Sequence, residues 1–305
     1  MVFLFSSFWL LAQREEYHHE ISGRYDNDVF FFTDHYYTSG LELSYSFLSG
    51  EKLQRLFMRG SDSLKVIASI RYGHKIFTPL KIRETELEKR DRPYAGWHYG
   101  QFSVINFTRS GSSVQYQITL GLTGPQSGMD KFQDWYHEKT NITGPIGWES
   151  QIGNELLVGL TYMRQTQYTF GRSVNLVGSL SAELGTAISQ LAYDLTLRLG
   201  KSNDLAYSGF SGGRIGRQSG DVEEGFFYIG ATGVYVLHNT FIEGSLWHDN
   251  DPHVEEAEKL LLNTHMGGHY SSDRVTFAIE LNRLSAEVIG GRSHYFTRFE
   301  LGYRF

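Results

Sequence analysis

The sequence predicts an all-β fold, a twelve-stranded antiparallel transmembrane β-barrel of the Gram-negative outer-membrane type. Three observations carry that expectation. Long runs of the chain alternate apolar and polar residues with a period of two. The mature chain holds no apolar stretch of the roughly 18 residues that a membrane helix needs. Its last residue, Phe305, is an aromatic that completes an alternating strand, resembling the assembly signal of outer-membrane barrels.

The alternation is the strongest of the three. Successive side chains of a strand point to opposite faces. Phe299, Leu301, Tyr303 and Phe305 share one face of the last segment, and Arg298, Glu300 and Arg304 share the other. Leu41, Leu43, Tyr45 and Phe47 alternate with Glu42, Ser44 and Ser46. The same pattern recurs at Tyr116–Leu122, Leu191–Leu199 and Val275–Leu281. An apolar outer face and a polar lumen produce it in a membrane barrel. A soluble β-sandwich or lipocalin-like barrel also alternates, with its apolar face turned inward.

Composition agrees. The chain carries 21 Phe, 19 Tyr and 33 Gly but only 5 Pro, a mix that favours strands and tight turns. A formal charge of −6 gives no sign of a nucleic-acid partner. Without cysteine there are no disulfides and no thiolate metal sites. The opening Met1–Ala12, MVFLFSSFWLLA, is too short to span a bilayer and resembles the apolar region of a secretory signal. Residues 1–12 are therefore expected to be a signal segment, and residues 13–305 a single outer-membrane barrel.

Thirteen strand-like runs start near Ile21, Tyr37, Leu64, Ala95, Ser113, Ile152, Val174, Gln190, Gly225, Thr240, Leu260, Arg274 and His294. Both termini should be periplasmic, which requires an even number. The weakest run, Phe241–Trp247, is followed directly by Asp-Asn-Asp-Pro and is assigned to an outer loop. The outer connections are then Phe32–Tyr36, Pro79–Arg92, Gly124–Glu149, Gly185–Ser189, His238–Lys259 and Ala286–Arg292.

Three stretches at that outer end carry chemistry-bearing residues. They are Tyr25–Gly40, then Asp91-Arg-Pro-Tyr-Ala-Gly96, then the long connection from Gly124 through MDKFQDWYHEKT to Gly147-Trp-Glu-Ser-Gln151. No GxSxG elbow occurs, so a serine triad is not indicated. A histidine such as His137 can instead activate water as a general base. An aspartate such as Asp28 can hold a hard cation, which takes oxygen ligands. Asn27 and Thr38 can orient water, support the ion shell or bind the oxyanion. Gln133 and His137 are four apart and share one face if they lie on a helix. Read alone, Asn27-Asp28 fits polar lumen residues, Thr38 an ordinary strand residue and His137 an exposed loop residue. Arg90 and Arg92 fit equally a site for lipid headgroup phosphates or interfacial charges in a turn. Trp135 and Tyr136 fit an aromatic girdle better than a substrate contact.

Together, in order, NDxF followed by YTSG, DRPYAG, and GP…QxxxH…GWxxQ resemble the outer-membrane lipid A 3'-O-deacylases, calcium-dependent hydrolases of lipopolysaccharide. The resemblance covers the first six strands well and the rest more loosely. It implies a twelve-stranded barrel with a short helix in an outer loop, and an active site between that helix and the barrel wall. Its site positions fall on Asn27, Asp28, Thr38, Gln133 and His137, with Ca²⁺ as cofactor. A further family glutamate beyond the histidine falls on Thr143; Glu138 and Glu149 are the acids nearby. The expected protein is a monomer in outer-membrane lipid acting on lipid A. An outer-membrane phospholipase or other esterase, and a non-catalytic barrel serving as pore, adhesin or structural protein, are the other readings.

Overall fold

The computed structural model describes residues 16–31, 33–58, 60–216 and 223–305. The expected signal segment, residues 1–12, lies outside them. The strands are β1 (His19–Asn27), β2 (Tyr36–Leu48), β3 (Ser63–Thr78), β4 (Ala95–Thr108), β5 (Ser112–Thr123) and β6 (Glu155–Thr169). The second half adds β7 (Val174–Gly185), β8 (Ile188–Lys201), β9 (Glu224–Asn239), β10 (Leu260–Ser271), β11 (Val275–Leu284) and β12 (His294–Arg304). Each pairs antiparallel with its chain neighbours, and β1 closes the barrel on β12 from Glu20↔Arg304 to Asn27↔Thr297. Three short helices, α1 (Glu51–Phe57), α2 (Met129–Thr140) and α3 (Thr240–Glu243), lie in the connections.

The expected strand starts fall within three residues of the observed ones. The largest offset is at β6, because Ile152 and Gly153 donate instead to the loop acceptors Tyr94 O (2.9 Å) and Asp251 Oδ1 (2.7 Å). The run near Thr240 is α3 rather than a strand. Asn239 caps it by accepting from the Phe241 amide at 3.0 Å, and Phe241 and Ile242 are fully buried.

The faces follow the alternation. Ile21, Leu43, Ile70, Leu160 and Leu301 point outward, each more than half exposed. Ser22, Arg24, Glu42 and Ser44 point inward onto a polar cavity of about 510 Å³. Inside it Arg24 bridges Glu42 (3.4 Å) and Glu300 (3.1 Å); elsewhere in the lumen Arg298 bridges Asp26 (2.8 Å) and Glu280 (3.2 Å). An apolar exterior round a charged interior is the reverse of a soluble barrel and requires lipid as the outer solvent. The twelve strands of 9 to 16 residues are long enough to cross it tilted.

Both mouths of the lumen are filled. At the end away from the termini, Tyr37, Phe77, Trp97, Phe241 and Phe296 pack into one aromatic cluster. At the terminal end Leu205, Ala206 and Ile215 fold in against Ile67, Phe107 and Val177. There Lys65 Nζ ties the inserted segment down by donating to Gly213 O (2.5 Å) and Ile215 O (2.7 Å). A lumen stoppered twice should show no stepwise conductance in a planar bilayer. Ohmic channels from the folded protein would contradict that expectation and revive the pore reading.

Candidate functional site

The site forms on the outside of the barrel wall, at the rim opposite the termini. Asn27 closes β1 with the outward parity of Ile21 and Tyr25, while Asp26 faces the lumen and pairs with Arg298. Thr38 owes its direction to a β-bulge. Tyr37 pairs with Phe77 and Ser39 with Ile76, which leaves Thr38 as the extra residue between them. The bulge lets Tyr37 enter the lumen while Thr38 turns to the outer wall. Tyr36, just before it, sits at φ 62°, a left-handed conformation that costs a non-glycine residue about 1–2 kcal/mol. Its hydroxyl is fixed by donating to Asp91 Oδ2 (2.5 Å) and accepting from the Arg292 amide (3.1 Å).

Helix α2 lies flat across this wall. Its buried residues are Met129, Gln133 and His137, spaced by four on one face. Met129 sits over Gly96 of β4, Phe132 packs on His74 of β3 (ring centroids 4.7 Å), and Tyr136 lies near Tyr25 of β1. Gly96 is what permits the approach. A Cβ there would lie 2.5 Å from Met129 Cβ and 2.6 Å from Ser127 Oγ. Gly96→Val should therefore lift the start of α2. Any hydrolytic activity of the cleft should fall by about 10²-fold, the cost of a misplacement near 1 Å. Heat-modifiable gel mobility should stay unchanged; full activity in the variant would show that α2 need not lie so close.

The helix ends at Asn141, at φ 54°, and the Ile142 amide returns to His137 O (3.0 Å). That turn carries the Thr143 carbonyl to 2.9 Å from His137 Nδ1. The position where a glutamate was implied thus presents a main-chain oxygen to the ring. Neither Glu138, exposed on α2, nor Glu149 is bonded to His137.

Asn27, Asp28, Thr38, Gln133 and His137 line one cleft of about 370 Å³, each no more than 5% exposed. Val29, Ile76, Phe132 and Ile142 form its apolar walls. Asn27 Oδ1 accepts from the Val29 amide (2.7 Å), which leaves the side-chain NH2 as the available donor. Asp28 accepts from Thr33 Oγ1 (2.9 Å) and the His35 amide (3.1 Å). Gln133 Oε1 accepts from Trp148 Nε1 (2.8 Å), so the GWxxQ segment holds the glutamine in place.

Asp34, which the sequence reading passed over, stands at the centre. Its Oδ1 accepts from Thr38 Oγ1 (2.7 Å) and Gln133 Nε2 (3.4 Å), and its Oδ2 lies 3.3 Å from His137 Nε2. Its signal was its place between Asp28 and Thr38 within a stretch already singled out.

Two carboxylates share the one Thr38 hydroxyl hydrogen, since Asp28 Oδ1 is also 3.2 Å from Thr38 Oγ1. Burial pushes the Asp28 carboxyl up to about 7, and the neighbouring Asp34 charge adds to the rise. No arginine or lysine is bonded to Asp28 among the described residues. A buried, uncompensated carboxylate amid hydroxyl and carbonyl oxygens suits a hard cation. Among the described residues no group of three or more histidine and acidic side chains is placed to hold a metal. A hard cation at Asp28 would need its oxygen shell completed by main-chain and water oxygens.

Arg90 and Arg92 are not brought to the cleft. Arg90 is 3% exposed; it lies against Gly147 and donates to Glu84 O (2.8 Å) and Ser150 Oγ (2.5 Å). Arg92 is fully buried, with Glu287 at 3.3 Å and its guanidinium over the Phe77 ring. These side chains knit the outer loops together and leave no free guanidinium for a headgroup phosphate. Trp135 is half exposed on the outer side of α2, and Tyr136 lines the cleft.

Comparison with known proteins gives one family. The family model described as outer membrane protein LpxR matches residues 1–305. No curated protein matches the sequence. Among solved structures, LpxR from Salmonella typhimurium is similar with a TM-score of 0.76 at 18% identity, covering 94% of this chain and 100% of that one. The β domain of the Bordetella autotransporter Brka is similar with a TM-score of 0.49 at 10% identity, covering 95% and 99%.

Proposed function

Because this chain belongs to the LpxR family of outer-membrane proteins, we propose that it is a lipid A 3'-O-deacylase, hydrolysing the ester of the 3' acyloxyacyl chain. One observation supports this above others. Residues from the β1–β2 hairpin and residues from α2, 93 or more positions apart in sequence (132 − 39), line a single cleft on the lipid-facing wall. Such a cleft is open to a substrate held in the outer leaflet, and its apolar walls suit an acyl chain.

The roles follow from hydrogen-bond chemistry. A carbonyl oxygen only accepts, so Nδ1 of His137 keeps its hydrogen toward Thr143 O. The neutral ring then offers Nε2 to the cleft as the base. A water molecule loses a proton to Nε2 as its oxygen attacks the ester carbonyl. The Asn27 side-chain NH2 can donate to the oxygen that gains charge. Collapse of the tetrahedral species breaks the bond to the sugar 3' oxygen, which takes the proton back from the ring. The products are the acyloxyacyl acid and a free 3'-hydroxyl. Asp28, with main-chain and hydroxyl oxygens, would hold Ca²⁺, which supplies charge stabilisation for the oxyanion when bound. Gln133 anchors α2 and the ring's surroundings rather than meeting the ester.

Mass spectrometry of lipid A after expression with calcium tests the proposal. Loss of the 3' acyloxyacyl chain is the expected result. Unchanged lipid A with a folded barrel would refute it, and release of fatty acid from phospholipid alone would favour the phospholipase reading.

A further inference from the structure

We infer that Asp34 is the positioning carboxylate of His137, holding the ring and stabilising the imidazolium formed when water gives up its proton. The inference rests on the deacylase reading above and adds to it the residue that makes the base effective.

Three observations place Asp34 in that role. Its Oδ2 lies 3.3 Å from His137 Nε2, the ring atom that gains the proton. That oxygen is buried and accepts no hydrogen bond from any described residue. A buried carboxylate oxygen without a donor is costly, and a positive charge on the ring beside it offsets part of that cost. Its other oxygen is already fixed by Thr38 Oγ1 at 2.7 Å and by Gln133 Nε2 at 3.4 Å, and Gln133 is fixed by Trp148. A chain from Trp148 through Gln133 to Asp34 therefore sets where the carboxylate stands. After proton transfer Nδ1 still donates to Thr143 O, and the charge on the ring lies beside Asp34, whose Oδ2 is 3.3 Å from Nε2. The carboxylate then faces a cation, while beside the neutral ring it has no counter-charge at that oxygen. That difference favours the state formed in the transition state over the ground state. Thr38 takes on a supporting part as the hydroxyl that steadies Asp34.

Asp34→Asn, in purified protein with lipid A micelles and saturating calcium, tests the inference. The maximal rate should fall about 10²-fold or more with KM nearly unchanged, as for loss of a carboxylate that orients a catalytic histidine. Asp34→Glu should restore part of the rate. In a His137→Ala background Asp34→Asn should have no further effect, because the two act as one unit. A wild-type rate in Asp34→Asn, or full additivity with His137→Ala, overturns the inference. Recovery of Asp34→Asn by raised calcium overturns it too, making Asp34 a cation ligand. Should the variants fail to fold, imidazole nitrogen shifts of the wild type decide: a neutral ring with its hydrogen on Nδ1 is expected, and one with it on Nε2 refutes the assignment. Failure of the deacylase reading is separate, since it would show as an inactive wild type.

Discussion

Replacing His137 with alanine is expected to lower lipid A deacylation by about 10²–10⁴-fold, the range that a general base contributes. The barrel should be untouched. His137 lies on a helix laid against the outside of the wall, and its ring meets Thr143 O and Asp34 rather than any lumen residue. The twelve-strand ladder, closed by β1 on β12, does not run through it. Heat-modifiable gel mobility should therefore match the wild type while initial rates, read by mass spectrometry at saturating calcium, collapse. The separation matters because a barrel misassembled in the membrane would lose activity for a trivial reason. A variant that is folded and still active within a few fold of wild type would remove His137 as the base. The cleft would then need another proton acceptor, and Asp34 would be the one remaining within reach of the same water.

The strands were legible because lipid and lumen impose opposite demands on alternate residues. Leu41, Leu43 and Tyr45 against Glu42 and Ser44 can satisfy both sides only in one conformation. The four-residue spacing of Gln133 and His137 pointed to one helix face for the same geometric reason. What could not be read depends on register or on the main chain. Thr38 turns outward only because β2 gains a residue against β3 between Tyr37 and Ser39, and a pairing defect has no signature in one strand's sequence. The oxygen facing His137 Nδ1 is a carbonyl, which any residue type at position 143 would supply. Asp34 is one of three acids between positions 26 and 34; only the fold separates Asp26, turned to Arg298 in the lumen, from Asp28 and Asp34 at the cleft. Arg90 and Arg92 misled for a related reason. Charges in a loop look solvated until the distant partners Ser150 and Glu287 fold over them.

Removing the Asp28 carboxylate should be nearly as damaging as removing the histidine. Asp28→Ala is expected to cost about 10²–10³-fold in rate, the scale of a lost oxyanion stabiliser. The effect should grow at low calcium. The carboxyl is also expected to impose a pH dependence whose sign follows from its environment. Burial raises it from 3.8 to about 7, so without a cation it holds a proton through most of that interval. A cation must displace that proton to bind. Calcium affinity should then be full above about pH 7 and fall about tenfold per pH unit below it. Raising calcium competes with the proton, so the acid limb of the rate profile should move to lower pH as calcium increases. Titrating calcium at several pH values between about 5 and 8 measures the shift directly. An acid limb that stays fixed while calcium rises a hundredfold would separate the limb from Asp28. A half-saturating calcium concentration unchanged in Asp28→Ala would move the cation to other oxygens of the rim. The cost of holding such a carboxylate buried is borne by the fold for a reason. On the proposed reading, a cation bound in place of the Asp28 proton would offset that cost.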